Sequence, residues 1–313
     1  MTHAPFTLHD PVLQTLADVL TDFEDVRIRS QNRTAALVRV HADTDEPTPA
    51  QVAHAEADMA DSADYKTLIV LVDGVKKLEN TATARLEKVM KEHPLGAWVA
   101  GVRGVGEKGI ARFLGVVGDP YIRPELTRPD GTVEPSRDRK MSELWAYCGL
   151  HTLPVGHSTP EDQRYVSDGE RVSSFSSEVR VAAARRRGQH ANWSGEARKR
   201  LWTISEAVIK SLSAPCVKPD PDDERVRWAT HVEGCTCSPY RVIYDASRVR
   251  YADAQHDAEC VRCGPSGKPA LPGSLLSNAH KKGRAQRKVM KELLRDLWLE
   301  ARRLHLEARG ETA

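Results

Sequence analysis

Apolar residues recur at every third or fourth position along most of the chain, a spacing that predicts helices. Leu13, Leu16, Val19, Leu20 and Phe23 share one helical face after Pro11, with Asp10 placed as the cap, and the pattern continues through Val26 and Leu37 toward Val40. Residues 42–49 are acidic and proline-containing, hence a loop. A second pattern covers residues 50–92 through Tyr65, Leu68, Leu71, Val72, Val75, Leu78, Leu86 and Val89. Spacing sustained over that length predicts a helical hairpin or a coiled-coil arm, with a plain core helix as the alternative. His93-Pro94 stops it, because a residue before proline avoids the helical region.

Beyond that stop, residues 96–118 are glycine-rich, and residues 123–139 carry a Pro-Asp-Gly turn and alternating charge, the signature of an exposed insertion. A short helix follows over 140–150. Residues 154–178, rich in serine and charge, read as loose, and a helix capped by Ser194 runs to residue 212. The cysteines fall within 214–273. Residues 274–309 form an amphipathic helix with Val289, Leu293, Leu294, Leu297, Trp298, Ala301 and Leu304 on one side. The expected fold is mainly α, in three parts: a helical arm over 1–94, a helix-hairpin-helix domain over 95–213, and a cysteine-containing basic helical region over 214–313.

The stretch Trp98-Val-Ala-Gly-Val-Arg-Gly-Val-Gly-Glu-Lys-Gly-Ile-Ala-Arg-Phe-Leu114 has the form of two short helices joined by a sharp bend. Gly104 and Gly106 tolerate positive φ and let a phosphate approach the backbone, while Val105 plugs the gap between the helices. The second helix starts near Glu107, so its unpaired amides would meet whatever occupies the bend, and a nucleic-acid phosphate suits amide donors and helix dipole alike. Lys108 and Arg112 add positive charge; Glu107 opposes it. Such contacts fix position and not sequence. A tight turn that binds nothing is the competing reading.

The run Gly101-Val-Arg-Gly-Val-Gly106, then Ala111, Phe113-Leu114 and Val117-Gly-Asp119, and later Leu144-Trp-Ala-Tyr-Cys-Gly-Leu150 resembles the C-terminal transposase domain of the IS one-ten insertion-sequence family. The similarity extends through Arg185-Arg-Arg-Gly188 and from Trp193 to Leu201, covering about residues 95–212. It implies DNA recombination guided by a structured RNA, with an RNase-H-like domain supplying acidic metal ligands and the C-terminal domain a serine nucleophile. The chain departs from that pattern twice. No alternating strand-and-helix region precedes the arm, and Asp10, Asp18 and Asp22 lie on a helical pattern without the strand context of a two-metal site. The interval where the nucleophile is expected holds Ser158, Ser173, Ser174, Ser176 and Ser177, for none of which the sequence identifies an activating base, so no catalytic residue is assigned.

Cysteine chemistry adds a cofactor. Cys235-Thr-Cys237 and Cys260-Val-Arg-Cys263 are two chelating pairs that together make a four-thiolate structural zinc site, with His231 and His256 near enough to replace one thiolate. Cys148 and Cys216 stand apart and read as small buried hydrophobes or inert thiols.

Charge adds a partner. The chain carries a formal net charge of +2, but residues 1–64 hold 12 acids against 4 bases, so the rest is strongly basic. Arg185, Arg186, Arg187 and His190 form one group, and Lys281, Lys282, Arg284, Arg287, Lys288, Lys291 and Arg295 line the start of the last helix. These suit a polyanion. With no apolar run long enough to span a bilayer and no signal segment, the chain is expected in the cytoplasm, away from membranes. DNA is the expected partner, with a structured RNA as a further one and homo-oligomerisation through the arm. The expected function is DNA binding in recombination or transposition. The alternatives are a serine-dependent transposase working with a separate catalytic chain and a zinc-stabilised protein-interaction module.

Overall fold

The computed structural model describes residues 6–42, 46, 48–128, 130–154, 180–182, 193–213, 216–217, 231–257, 259–260, 263–265 and 268–311. Among these it forms nine helices and three two-stranded ladders, a mainly helical fold as the periodicity predicts. No helix among the described residues is long and apolar enough to cross a membrane.

Helix α1 (Pro11–His41) starts where the sequence places it. Proline occupies the first turn and the Asp10 carboxylate accepts from the amides of Val12 and Leu13 at 2.8 and 3.2 Å. The second long pattern is broken in two: α2 (Pro49–Met59), closed by a Thr48–Gln51 capping box, and α3 (Ala63–Glu92), capped by Ser62. His93 ends α3 in an extended conformation, as its following proline requires. Helices α1 and α3 lie antiparallel: Arg27 pairs with Glu79, and the His93 ring reaches the Leu8 carbonyl at 3.0 Å. This is a helical hairpin within one chain.

Next come α4 (Gly96–Gly101) and α5 (Glu107–Val117). Seven residues of α5 are buried, including Ile110, Ala111, Phe113 and Leu114, and the helix packs against α1, α3 and α7 (Gly195–Lys210). Gly115 makes the closest of these approaches possible, since a Cβ there would lie 3.0 Å from the Ala17 methyl of α1. Burial of a side chain such as Phe113 stabilises by about 2–3 kcal/mol, so α5 organises the core more than any exposed element can.

The predicted insertion is a bent antiparallel ribbon. β1 (Ile122–Arg123) pairs with β4 (Arg137–Asp138), and β2 (Leu126–Thr127) with β3 (Val133–Glu134). Its strands were hidden because two-residue segments carry no period. After α6 (Met141–Tyr147), β5 (Thr152–Pro154) pairs with β6 (Arg180–Ala182). The predicted loose segment falls mostly outside the described residues, as do its five serines and Arg185, Arg186 and Arg187.

Helix α7 starts on its Ser194 cap, α8 (Pro239–Arg250) was not anticipated, and α9 (Asn278–Arg309) is the basic amphipathic helix. Val289, Leu293, Leu294, Leu297 and Ala301 of α9 are buried in one continuous cluster with Leu13 and Leu20 of α1, Phe113 of α5 and Leu201 of α7. Polar contacts pin α9 at its far end, where His305 Nε2 lies 2.7 Å from the buried Asp119 carboxylate, which also accepts the Leu8 amide.

Candidate metal centres and the adjoining hairpin

The bend between α4 and α5 has the predicted construction. The Val105 amide donates to the Val102 carbonyl at 3.1 Å, and the Ile110 amide to Gly106 at 3.2 Å opens α5. Gly104 sits at φ +84°, and a Cβ there would meet Val208 Cα and Ser211 Oγ at 3.0 Å, so the bend rests on the end of α7. Val105 is buried in the core. Gly106 is exposed, with nothing within 4 Å of an added Cβ, and no side chain caps the α5 N-terminus. One side of the bend is therefore packed and the other open.

The cations assigned to this bend behave differently from expectation. Arg112 is buried: its guanidinium lies 2.6 Å from Glu24 and donates to Thr21 at 3.1 Å. It is an internal ion pair joining α5 to α1, and its assignment to phosphate is corrected on that ground. The side chain at 112 lies on the face of α5 that must pack for the core to form. Lys108 also reaches Glu24, at 3.0 Å, but keeps about a third of its side chain exposed. Burial raises the Glu24 carboxyl, yet the hydrogen bonds from Lys108 and Arg112 outweigh it and hold the group below the usual carboxylate range. Arg103, unassigned from sequence, donates to the Thr236 carbonyl at 2.7 Å and to its hydroxyl.

Thr236 lies between Cys235 and Cys237, and these thiols do not join Cys260 and Cys263. The four-thiolate site is replaced by two separate clusters: Cys216, His231, Cys235 and Cys237, and His256, Cys260, Cys263 and His280, the ligand atoms of each within 4.8 Å of one another. Helix α8 and its following turn intervene between the pairs, and each pair closes on its own histidine instead. Cys216 is thus a cluster member and not an isolated thiol. Cys148 is fully buried, and burial pushes its thiol up to about 12, as expected of an inert side chain.

In the first cluster His231 Nδ1 faces the Cys235 sulfur at 3.9 Å, while its Nε2 meets the buried Asp245 carboxylate at 2.9 Å. A carboxylate on the far nitrogen fixes tautomer and ring orientation, the arrangement that accompanies a metal-bound imidazole. Arg241 holds Asp245 in turn, its Nε donating at 2.5 Å. Burial raises the Cys237 thiol, but hydrogen bonds with Ser213, Cys216 and His231 prevail and bring it down to about 6. A thiol so placed is ready to bind as thiolate.

In the second, Cys263 Sγ lies 3.2 Å and Cys260 Sγ 3.9 Å from His280 Nδ1, in the first turn of α9. The Cys263 amide donates to the Cys260 carbonyl at 3.3 Å, forming the knuckle, and two hydrogen bonds to Ala270 pin Cys260. His256 is buried and its Nε2 has no hydrogen-bond partner. A tetrahedral zinc places its sulfur and nitrogen ligands about 3.5–3.8 Å apart, and the ligand atoms of each cluster lie within 4.8 Å of one another.

One sequence signal could have found this pairing. In each cluster a histidine precedes the first cysteine of the pair by four positions, His231 before Cys235 and His256 before Cys260. The fourth ligands, Cys216 and His280, come from distant positions and carried no such mark. Of the predicted basic residues, Lys281 donates to the Ala252 carbonyl, Lys282 pairs with Glu206 at 3.0 Å, and Arg284 lies 3.6 Å from Asp257. These three stitch α9 to its neighbours as well as lining its surface. Compared with protein-family models, with curated proteins and with solved structures, the chain matches none.

Proposed function

We propose that this chain is a zinc-organised DNA-binding protein that acts in recombination or transposition, holding duplex or branched DNA through the α4–α5 bend and the basic surface of α9. The observation that carries the reading is the asymmetry of the bend: Gly104 and Val105 are locked against the core while Gly106 and the uncapped start of α5 remain open. Amides without internal partners beside an exposed glycine favour a bound anion. The resemblance of the surrounding motifs to the transposase family points the same way. Zinc is the metal of choice for both clusters, since mixed thiolate and imidazole ligands in sets of four suit its tetrahedral preference and leave no open position for water. Its role is structural, and through Arg103 and Thr236 the first cluster braces the bend.

The test is a substitution that adds charge without touching the core. Gly106→Glu places a carboxylate in open space, so the fold is retained while affinity for duplex and branched DNA falls by at least about tenfold, with a reduced dependence on salt. Unchanged affinity in that variant removes the hairpin reading.

A second reading draws on the arm. Val70, Leu71 and Leu78 are each more than half exposed on α3, and a cavity of about 420 Å³ opens between α1 and α3, lined by Leu37, Leu68, Leu71, Val72 and Val75. Apolar surface of this kind supports self-association. Light scattering of the full chain tests it: a dimer that Leu71→Glu converts to a monomer supports an oligomerising arm, and a monomer at all concentrations removes it.

A further inference from the structure

Apolar burial does little to hold helix α8 in place. Of its twelve residues only Tyr240 is a buried hydrophobe; Ile243 and Tyr244 reach the core half-buried, and Val242 and Val249 face solvent. Its other buried side chains are polar. Arg241 donates to the Ile209 carbonyl of α7 and to Asp245, the Tyr240 hydroxyl donates to Asp296 of α9 at 2.9 Å, and Ser247 turns back onto the Ile243 carbonyl at 2.7 Å. Polar contacts that replace contacts with water add little net stability, and a helix this short is marginal by itself.

Both ends of α8, and its middle, lead to metal ligands. Cys237 directly precedes the cap residue Ser238, whose own side chain makes no capping bond. In the middle of the helix Asp245 meets His231 Nε2 at 2.9 Å, so the first cluster grips α8 at two points. Beyond the C-cap Tyr251 the chain runs to His256 of the second cluster. There the His256 amide donates to the Ser274 carbonyl at 2.9 Å, and its ring lies 5.4 Å from that of His280 in the first turn of α9. The two clusters share no ligand, and α8 is the helix that runs from one to the other.

We propose that the two clusters bind their metal ions cooperatively, with α8 as the coupling element. The first ion, at either cluster, orders α8 between α7 and α9 and so assembles the ligands of the other. This rests on the reading of both clusters as zinc centres. The cause is conformational entropy: where apolar burial does not offset the ordering of a segment, the ligand bonds must, and metal binding and local folding become one step. The second ion then meets His231 or His256 already in place and bears none of that ordering cost. Because Arg103 holds Thr236 in the loop of the first cluster, occupancy of the second cluster is felt at the α4–α5 bend. Metal supply thus acts on both centres and on the bend over a narrow range of concentration.

The full chain, stripped of metal, is titrated with zinc against a competing chelator while hydrogen exchange follows its amides. A steep isotherm is expected, with the one-ion species scarcely populated in native mass spectrometry. The α8 amides should exchange freely without metal and become protected with it, while those of α5 stay protected throughout. Cys216→Ser leaves the second cluster and His280→Ala the first; the product of these two single-site affinities should fall at least about tenfold short of the parent's product for two ions. Ala246→Gly makes the test without touching a ligand, since residue 246 is exposed in the middle of α8. Glycine there weakens the helix and should lower the affinity of the first ion about fivefold; a helix formed without metal would lose stability with no change in affinity. Two ions bound independently, α8 amides protected before metal arrives, or unchanged affinity in Ala246→Gly each overturns the proposal and leaves the zinc centres standing. A chain that binds no zinc overturns both.

Discussion

The Arg103 guanidinium donates to the carbonyl and the hydroxyl of Thr236, and so ties the glycine bend to the loop that carries Cys235 and Cys237. Ser213 adds a second tie, its amide donating to the Cys237 sulfur at 3.2 Å just beyond the helix on which Gly104 rests. A metal held by the first cluster would therefore stiffen the bend from beneath. Removing metal with a chelator is expected to loosen Arg103 and lower DNA affinity, while the α1–α3 hairpin keeps its helicity by circular dichroism.

Two metal ions per chain are expected, because the eight ligands divide into two complete sets. Cys216→Ser and His280→Ala should each lower the zinc content from two toward one, and the double variant should hold none. Metal analysis of the purified proteins checks this. A parent chain with one ion, lost on substituting any of Cys235, Cys237, Cys260 or Cys263, would restore the single site suggested by the cysteine spacing.

Only one of the two glycines of the bend should be sensitive to substitution. Gly104→Ala forces a side chain into the left-handed region and against Val208, costing about 1–2 kcal/mol. Gly106→Ala adds a methyl in open space at φ −97° and should stay within about 0.5 kcal/mol of the parent. Urea unfolding of the two variants makes the comparison.

Glu24 answers Arg112 inside the core. Glu24→Ala leaves that guanidinium buried beside Lys108 without a counter-charge and should cost about 2 kcal/mol, less than a fully enclosed pair because Glu24 keeps some solvent contact. Arg112→Met, which removes the charge and keeps the bulk, should cost less. Unfolding midpoints separate the two outcomes, and DNA affinity of the folded Arg112→Met chain should match the parent.

His93 sets a pH dependence. Burial lowers its ring below the ordinary 6.5, against the opposing pull of the Leu8 carbonyl and nearby carboxylates. Its Nδ1 accepts the Leu95 amide at 3.1 Å, which the protonated ring cannot do. The neutral ring's contribution is full above pH 6.5 and declines as pH falls through the folded value, since the unfolded chain takes up the proton first. Stability of the parent should drop as pH falls below 6.5 more steeply than that of His93→Gln. Parallel slopes in denaturant midpoints would show that the ring contributes nothing to this window.

Most helix positions, though not that of α8 or the break between α2 and α3, were legible in the chain because their causes are local. Asp10 before Pro11, Ser194 before its helix and Pro94 after His93 act on their own neighbours, and apolar spacing names the buried face without knowledge of what covers it. The bend at Gly104-Val105-Gly106 was legible for the same reason. Which cysteine meets which histidine was not: Cys216 and His280 lie far along the chain from their partners, and only the folding of the loops around α8 and α9 brings them together. The fate of each positive charge was equally a matter of tertiary structure. Arg112, Arg287 and Lys108 look alike as letters, yet the first is neutralised in the core by Glu24, the second is half-buried with no ion pair among the described residues, and the third reaches Glu24 from the surface, because charge is local to a residue while its partner and its solvent are decided by packing.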